Sequence, residues 1–158
     1  MKKNTQPFVI EKATIADAKE IQVLIKAFAA KQQMLSRPLQ SIYENIRSFF
    51  VCRNRKGDVI GCSALEVVWE DLAEIRSLAV NGRYQKKGIG RQLVEICLEE
   101  AVALKVKKVF TLTYVAGFFS KIGFAEVDKH ELPHKIWTDC INCPHFPDCN
   151  EVAMIRSL

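Results

Sequence analysis

The stretch from Glu74 to Leu104 narrows most sharply what this chain can become. Glu74-Ile75-Arg76-Ser77-Leu78-Ala79-Val80 is dense enough in aliphatic and β-branched residues to be a strand. Asn81-Gly82 breaks it. After the basic loop Arg83-Tyr84-Gln85-Lys86-Lys87-Gly88-Ile89-Gly90-Arg91, the residues Ile89, Leu93, Ile96, Cys97, Ala101 and Leu104 recur at helical spacing. Arg91, Gln92, Glu95, Glu99 and Glu100 fill the opposite side. A strand that feeds a glycine-bearing loop and then a helix is suited to bind an anion. The first-turn amides of a helix lack intrahelical partners, and the helix dipole adds positive charge there. Gly88 and Gly90 present no Cβ to an approaching phosphate, and Lys86, Lys87 and Arg91 add charge at the rim. The spacing is neither GxxxxGK[ST] nor GxGxxG, which excludes those two nucleotide motifs. From the glycines alone, the alternative is a plain strand-turn-helix with a solvated basic turn.

The pattern Gln85-x-x-Gly88-x-Gly90, after a strand and opening a helix, resembles the Q/R-x-x-G-x-G/A signature of the GNAT superfamily of N-acetyltransferases. Phe118-Phe119-Ser120-Lys121-Ile122-Gly123-Phe124 is similar to a segment that usually reads FYEKLGF in that family. Gly61-Cys62-Ser63-Ala64-Leu65, Trp69-Glu70-Asp71-Leu72-Ala73-Glu74-Ile75-Arg76 and Leu78-Ala79-Val80 resemble a run found in short, stand-alone N-acetylglutamate synthases. The resemblance covers most of the chain. It implies an α+β fold, a mixed, mostly antiparallel sheet flanked by helices, in one domain over 1–158. It also implies acetyl-CoA as co-substrate. The loop from Gln85 through Lys86, Lys87, Gly88, Ile89 and Gly90 to Arg91 would hold its pyrophosphate, and the backbone of Leu78, Ala79 and Val80 would pair with the pantetheine arm.

Composition agrees without selecting among enzymes. A length of 158 residues suits one domain with its own core. No apolar run approaches the ~20 residues needed to span a bilayer, and the N-terminus lacks a signal-peptide pattern. The expectation is therefore a cytoplasmic protein without membrane association. A net charge of +5 favours anionic ligands, but no dense basic block with interleaved aromatics points to nucleic acid. The oligomeric state is open, a homodimer among the options.

In chain order, Phe8 to Ala13 predicts a strand. Thr14 is placed to cap a helix reaching about Ala30, with Asp17 in its first turn and Ile21, Leu24, Ile25 and Phe28 as its core stripe. A loop from Lys31 to Pro38 precedes a short helix near Leu39 to Arg47. Ser48 to Cys52, a turn at Arg53 to Asp58, and Val59 to Trp69 predict a hairpin in which Gly61 marks a bulge or a close backbone approach. Past the long helix, Lys107 to Thr113 predicts a strand reached by a parallel crossover, and divergence of the two parallel strands would admit an extended ligand arm. A helix at Ala116 to Lys121 and strands at Phe124 to Val127 and Glu151 to Leu158 follow.

Acetyl transfer to an amine requires that the amine lose a proton, that the thioester oxyanion be stabilised and that the thiolate leave. By resemblance Glu74 is the candidate general base, directly or through a water. The alternative is a carboxylate paired with Arg76, which alternation places on the same face. Arg76 is a candidate for binding a substrate carboxylate, as is Arg37, whose region lines the acceptor site in the resembled family; the alternative for Arg37 is an exposed loop arginine. By the same resemblance the Leu78 amide is the candidate oxyanion donor. Phe119 stands where many superfamily members have a tyrosine, so Tyr114 is the candidate proton donor. Packing, substrate contact, and thiolate departure without an acid are the alternatives. The family's usual asparagine is also missing, with Leu112 near its place.

Cys140, Cys143 and Cys149, spaced C-x2-C-x5-C within the segment 134–149, suggest a metal rather than a disulfide in a reducing compartment. A zinc ion would need His134 or His145 as a fourth ligand, and no second CxxC exists. Reduced thiols packing a proline-rich loop, or a labile disulfide, are the alternatives, and no metal ligand is assigned. Cys52, Cys62 and Cys97 fall in core-like patterns. The expected function is transfer of an acetyl group from acetyl-CoA to a small-molecule amine, with L-glutamate, and hence arginine biosynthesis, implied by the narrower resemblance. Other acceptors, or a non-catalytic CoA- or metal-binding module, are the competing readings.

Overall fold

The computed structural model describes residues 7–132 and 151–158. Among them seven strands lie in the order β1-β2-β3-β4-β5-β7-β6. They are β1 (Phe8–Lys12), β2 (Phe49–Asn54), β3 (Val59–Trp69), β4 (Leu72–Val80), β5 (Lys108–Thr113), β6 (Ala125–Val127) and β7 (Val152–Ser157). The helices are α1 (Ala18–Ala30), α2 (Leu39–Glu44), α3 (Ile89–Ala103) and α4 (Ala116–Ser120). The β1–β2, β2–β3, β5–β7 and β6–β7 ladders are antiparallel, whereas β4 and β5, joined through α3, are parallel. This is the mixed, mostly antiparallel α+β sheet expected from the sequence. The cysteine-rich segment 134–149 lies outside the described residues.

Two compact units divide the chain, one holding the residues up to Glu66 with Ile75–Glu100, the other Val67–Glu74 with Ala101 onward. In the first unit, Ile21, Ile25, Ile42, Phe49, Val51, Cys62 and Ala64 form a buried cluster. These are the inward positions of α1, α2, β2 and β3, so period-3.6 and period-2 patterns meet on one core. The α1 end begins as a 3-10 turn over Ile15–Asp17, where the Asp17 carboxylate accepts the Thr14 backbone amide at 2.8 Å. The same carboxylate accepts a 2.8 Å hydrogen bond from Arg53 Nη2.

Gly61 combines both features expected of it. The β2–β3 register shifts beside it, between Cys52 and Arg53. A Cβ on Gly61 would also come within 3.2 Å of Leu93 Cδ1 and 3.3 Å of the Ala79 carbonyl. Gly61→Val therefore overpacks a site walled by backbone on one side, and a loss of about 1–3 kcal/mol is expected in denaturant unfolding. An unchanged midpoint would refute the close approach.

In the second unit, Leu72, Phe110, Leu132 and Ala153 make a smaller buried cluster, with Val68, Leu112, Val127 and Ile155 packed on it. Helix α3 is covered more widely than its apolar stripe predicts. Val94 and Leu98 are buried, whereas Leu104 is 54% exposed. The reason for the second is that α3 stops at Ala103 and the chain reverses. The Val106 amide bonds the Ala101 carbonyl, the Lys105 amide bonds that of Val102, and Lys105 has φ +63°. This is a Schellman stop with lysine in the left-handed position where glycine is usual. The same pair of bonds ends α1 at Gln32 (φ +56°) and α4 at Gly123 (φ +88°).

Candidate active site

The β4–α3 junction of the first unit forms the expected loop. A 3-10 turn at Gly82–Tyr84 is held by the Asn81 side chain, which accepts the Arg83 amide at 3.0 Å. Gln85 Nε2 donates to the Val80 carbonyl at 3.1 Å and closes the base of the loop. Lys86 (φ +63°) and Gly88 (φ +81°) take left-handed conformations that turn the backbone, and the Gly88 carbonyl then accepts the Gln92 amide as the first bond of α3. The amides of Ile89, Gly90 and Arg91 thus precede the first intrahelical bond, the arrangement that binds phosphate groups. Ile89 is buried, whereas Lys86 and Lys87 are exposed, with Lys87 Nζ 5.6 Å from the Tyr84 ring centre. Arg91 is engaged by Glu95 at 2.9 Å.

A second constellation in the same unit was only half visible in the sequence. Arg37 is not the exposed loop residue of the alternative reading, for its side chain is 9% exposed. Its Nη2 donates to Glu66 Oε1 at 2.6 Å, its Nε to Ser41 Oγ at 3.1 Å, and its Nη1 reaches Ser77 Oγ at 3.4 Å. The guanidinium lies 5.1 Å from the Phe49 ring centre. Arg76 Nη1 donates to the other Glu66 oxygen at 3.0 Å. Two guanidiniums drawn from distant parts of the chain thus share one carboxylate. Burial pushes the Glu66 carboxyl up, but the charges and hydrogen bonds of Arg76 and Arg37 together outweigh it and hold the group below the usual carboxylate range. Glu66 is therefore ionised at any neutral pH.

Ser77 has φ +55°, a left-handed residue within β4. That conformation in a serine costs about 1–3 kcal/mol and persists only where neighbours impose it. The Cys62 thiol donates to the Ser77 carbonyl at 3.3 Å. Burial pushes Cys62 up to about 12, against an opposing hydrogen bond with the Ala79 backbone. Cys52 and Cys97 are likewise buried free thiols, raised by burial to about 11 and about 12, and so are inert at neutral pH. The kink at Ser77 sits directly before Leu78, Ala79 and Val80, of which Ala79 is buried and the other two half-buried.

In the second unit, Glu74 is a buried carboxylate, 9% exposed, opposite Phe110 in the parallel β4–β5 ladder. Pairing of these strands covers Leu72–Glu74 against Lys108–Phe110. Tyr114 follows directly after β5 and is 39% exposed. Phe119 is buried, its ring edge-on to Phe118 and Phe124 at 5.1 and 5.3 Å, which fixes it as a packing residue. The structure therefore groups Arg37 with Arg76, gives the loop from Gln85 to Arg91 a turn that leaves the first amides of α3 outside its hydrogen-bond ladder, and adds Glu66, which the sequence reading missed. The one signal that could have found Glu66 is a charged residue directly following the apolar run Ile60 to Leu65.

Comparison with known proteins agrees with this geometry. Residues 17–124, more than half of the 158, match the acetyltransferase (GNAT) family. The chain is 45% identical over 151 residues to an uncharacterized N-acetyltransferase of Chlorobaculum tepidum, covering 94% of this chain and 96% of the relative. It is 36% identical over 122 residues to an amino-acid acetyltransferase of Mycobacterium tuberculosis, covering 76% and 70%. Among solved structures, a Mycobacterium tuberculosis protein in complex with CoA superposes with TM-score 0.82 at 29% identity, covering 95% of this chain and 99% of that one. The N-acetylglutamate synthase of Neisseria gonorrhoeae, complexed with coenzyme A and N-acetyl-glutamate, gives 0.87 at 25% identity over 96% of this chain and 35% of that one. With matches of this extent, the chain belongs to the GNAT family and is an N-acyltransferase that draws its acetyl group from acetyl-CoA.

Proposed function

We propose that the acceptor is the α-amine of an amino acid carrying a second carboxylate, with L-glutamate the leading candidate. The observation that carries this reading is the pair Arg37 and Arg76 on Glu66. The two guanidiniums converge on one carboxylate, and a guanidinium binds carboxylate in a forked geometry that a lysine cannot match, so this cluster suits an acceptor that carries carboxylate groups. The relative named as an amino-acid acetyltransferase and the structural neighbour bound to N-acetyl-glutamate support it.

In this reading the Gln85 to Arg91 loop grips the pyrophosphate, and the backbone at Leu78 to Val80 takes the pantetheine arm. Glu74 receives the amine proton, directly or through a water, as nitrogen attacks the thioester carbon. The carbonyl π bond opens onto oxygen, and the Leu78 amide stabilises that oxyanion. The carbonyl then re-forms as the carbon–sulfur bond breaks and its electron pair leaves on sulfur. Tyr114 or solvent supplies the proton that the thiolate takes. The place of the product in arginine biosynthesis follows from the acceptor and stands with it.

The test is steady-state turnover with acetyl-CoA and a panel of amino acids, read by release of free thiol. The expected result is a kcat/KM for glutamate exceeding that for glutamine by 10-fold or more, roughly what one well-placed charged hydrogen bond supplies. Turnover with non-amino-acid amines alone would overturn the acceptor assignment.

A further inference from the structure

Within the cluster the two arginines are not equivalent. Arg37 is fixed on four sides, by Ser41, Ser77, Glu66 and the Phe49 ring, and is nearly buried. Arg76 is more open, with its side chain 34% exposed. Glu66 joins them, giving one oxygen to each at 2.6 and 3.0 Å, and is itself 17% exposed. Of the two guanidiniums joined through Glu66, Arg37 is the more buried and Arg76 the more exposed. A carboxylate with both oxygens engaged has little freedom to rotate, so the orientation of the first guanidinium constrains that of the second.

We propose that Glu66 is a positioning residue that sets acceptor specificity: it transfers the fixed geometry of Arg37 to Arg76 and so aims Arg76 at the carboxylate of the acceptor. This rests on the amino-acid reading above and adds to it the residue that makes the site discriminate. A rival physical effect has the opposite sign. Removing the Glu66 charge raises the net positive charge of the cluster, which by electrostatics alone tightens binding of an anionic acceptor. Geometry and charge therefore give opposite predictions for one substitution.

The experiment compares wild type, Glu66→Gln and Glu66→Asp with acetyl-CoA against glutamate and glutamine, fitting kcat and KM separately. Glu66→Gln is expected to raise the glutamate KM by about 10-fold or more, because a misaimed guanidinium loses its forked contact. Its KM for acetyl-CoA is expected to hold within about 2-fold, since the phosphate loop is untouched. The preference for glutamate over glutamine is expected to collapse toward unity. A general loss of folding would scale both acceptors alike and leave that ratio unmoved. Glu66→Asp, which keeps the charge but shortens the reach, is expected to retain part of the preference. It also serves as the deciding variant should Glu66→Gln not fold. A glutamate KM that is unchanged or lowered in Glu66→Gln, with the preference intact, overturns the proposal while leaving the amino-acid reading in place. A wild-type protein that acetylates no amino acid overturns both.

Discussion

Glu74→Gln is expected to lower kcat by about 10²–10⁴-fold, the usual contribution of a positioned general base. By the rate equation this is about 2.7–5.4 kcal/mol of barrier. Glutamine matches glutamate in shape and keeps an acceptor oxygen, so the β4–β5 pairing at Leu72–Glu74 has no steric reason to change. It has no group that takes up a proton from an ammonium. Binding of acetyl-CoA, followed by calorimetry, is expected to stay within about 3-fold because the proposed pyrophosphate site is the loop from Gln85 to Arg91. The discriminating pattern is lost turnover with retained donor affinity. A Glu74→Gln protein that turns over at the wild-type rate would remove Glu74 from the mechanism and leave the base to be sought elsewhere.

The largest expected effect on stability comes from a buried carboxylate at the entry to α1. Asp17 is 3% exposed and accepts the Thr14 amide and an Arg53 guanidinium nitrogen, each at 2.8 Å. Arg53 also reaches Glu11 at 2.6 Å, and its pKa is raised, chiefly by the hydrogen bond to Glu11, with burial opposing. Asp17→Ala deletes the buried carboxylate, strands a backbone donor at the entry to α1 and leaves Arg53 with Glu11 and solvent. Because Arg53 keeps those partners, the cost is set at the lower end of that for breaking a buried pair, about 3 kcal/mol. For a chain of this size that corresponds to a fall in Tm of roughly 6–12 °C, measurable by calorimetry or circular dichroism. A change under about 2 °C would mean that the carboxylate is dispensable to the fold.

How much could be read beforehand depended on the range of the interactions involved. Strand and helix order followed from local periodicity, and the observed bounds differ from the expected ones by a residue or two at most ends. The turn that opens α3 was legible because its determinants, two glycines and the first turn of a helix, are contiguous. Glu66 was not. Its partners stand 29 and 10 positions away, and a charged residue following the run Ile60 to Leu65 within β3 does not say what it pairs with. The left-handed Ser77 was equally hidden, because it carries no turn signal of its own and its contacts, Cys62 and Arg37, lie far away in sequence. The burial of Arg37 was missed for the same reason. A polar loop before a proline gives no sign that a guanidinium folds back onto a phenylalanine ring.

The Schellman stops at Gln32, Lys105 and Gly123 bear on how this architecture tolerates divergence. Each boundary is secured by main-chain amides and carbonyls that every residue except proline supplies in full, so the spelling at these corners can drift while the instruction to turn survives. Glycine at Gln32 or Lys105 would relieve a mild penalty without altering the route of the chain. A scaffold punctuated in this way can keep its outline through extensive rewriting, in keeping with superpositions of 0.82 and 0.87 at 29% and 25% identity.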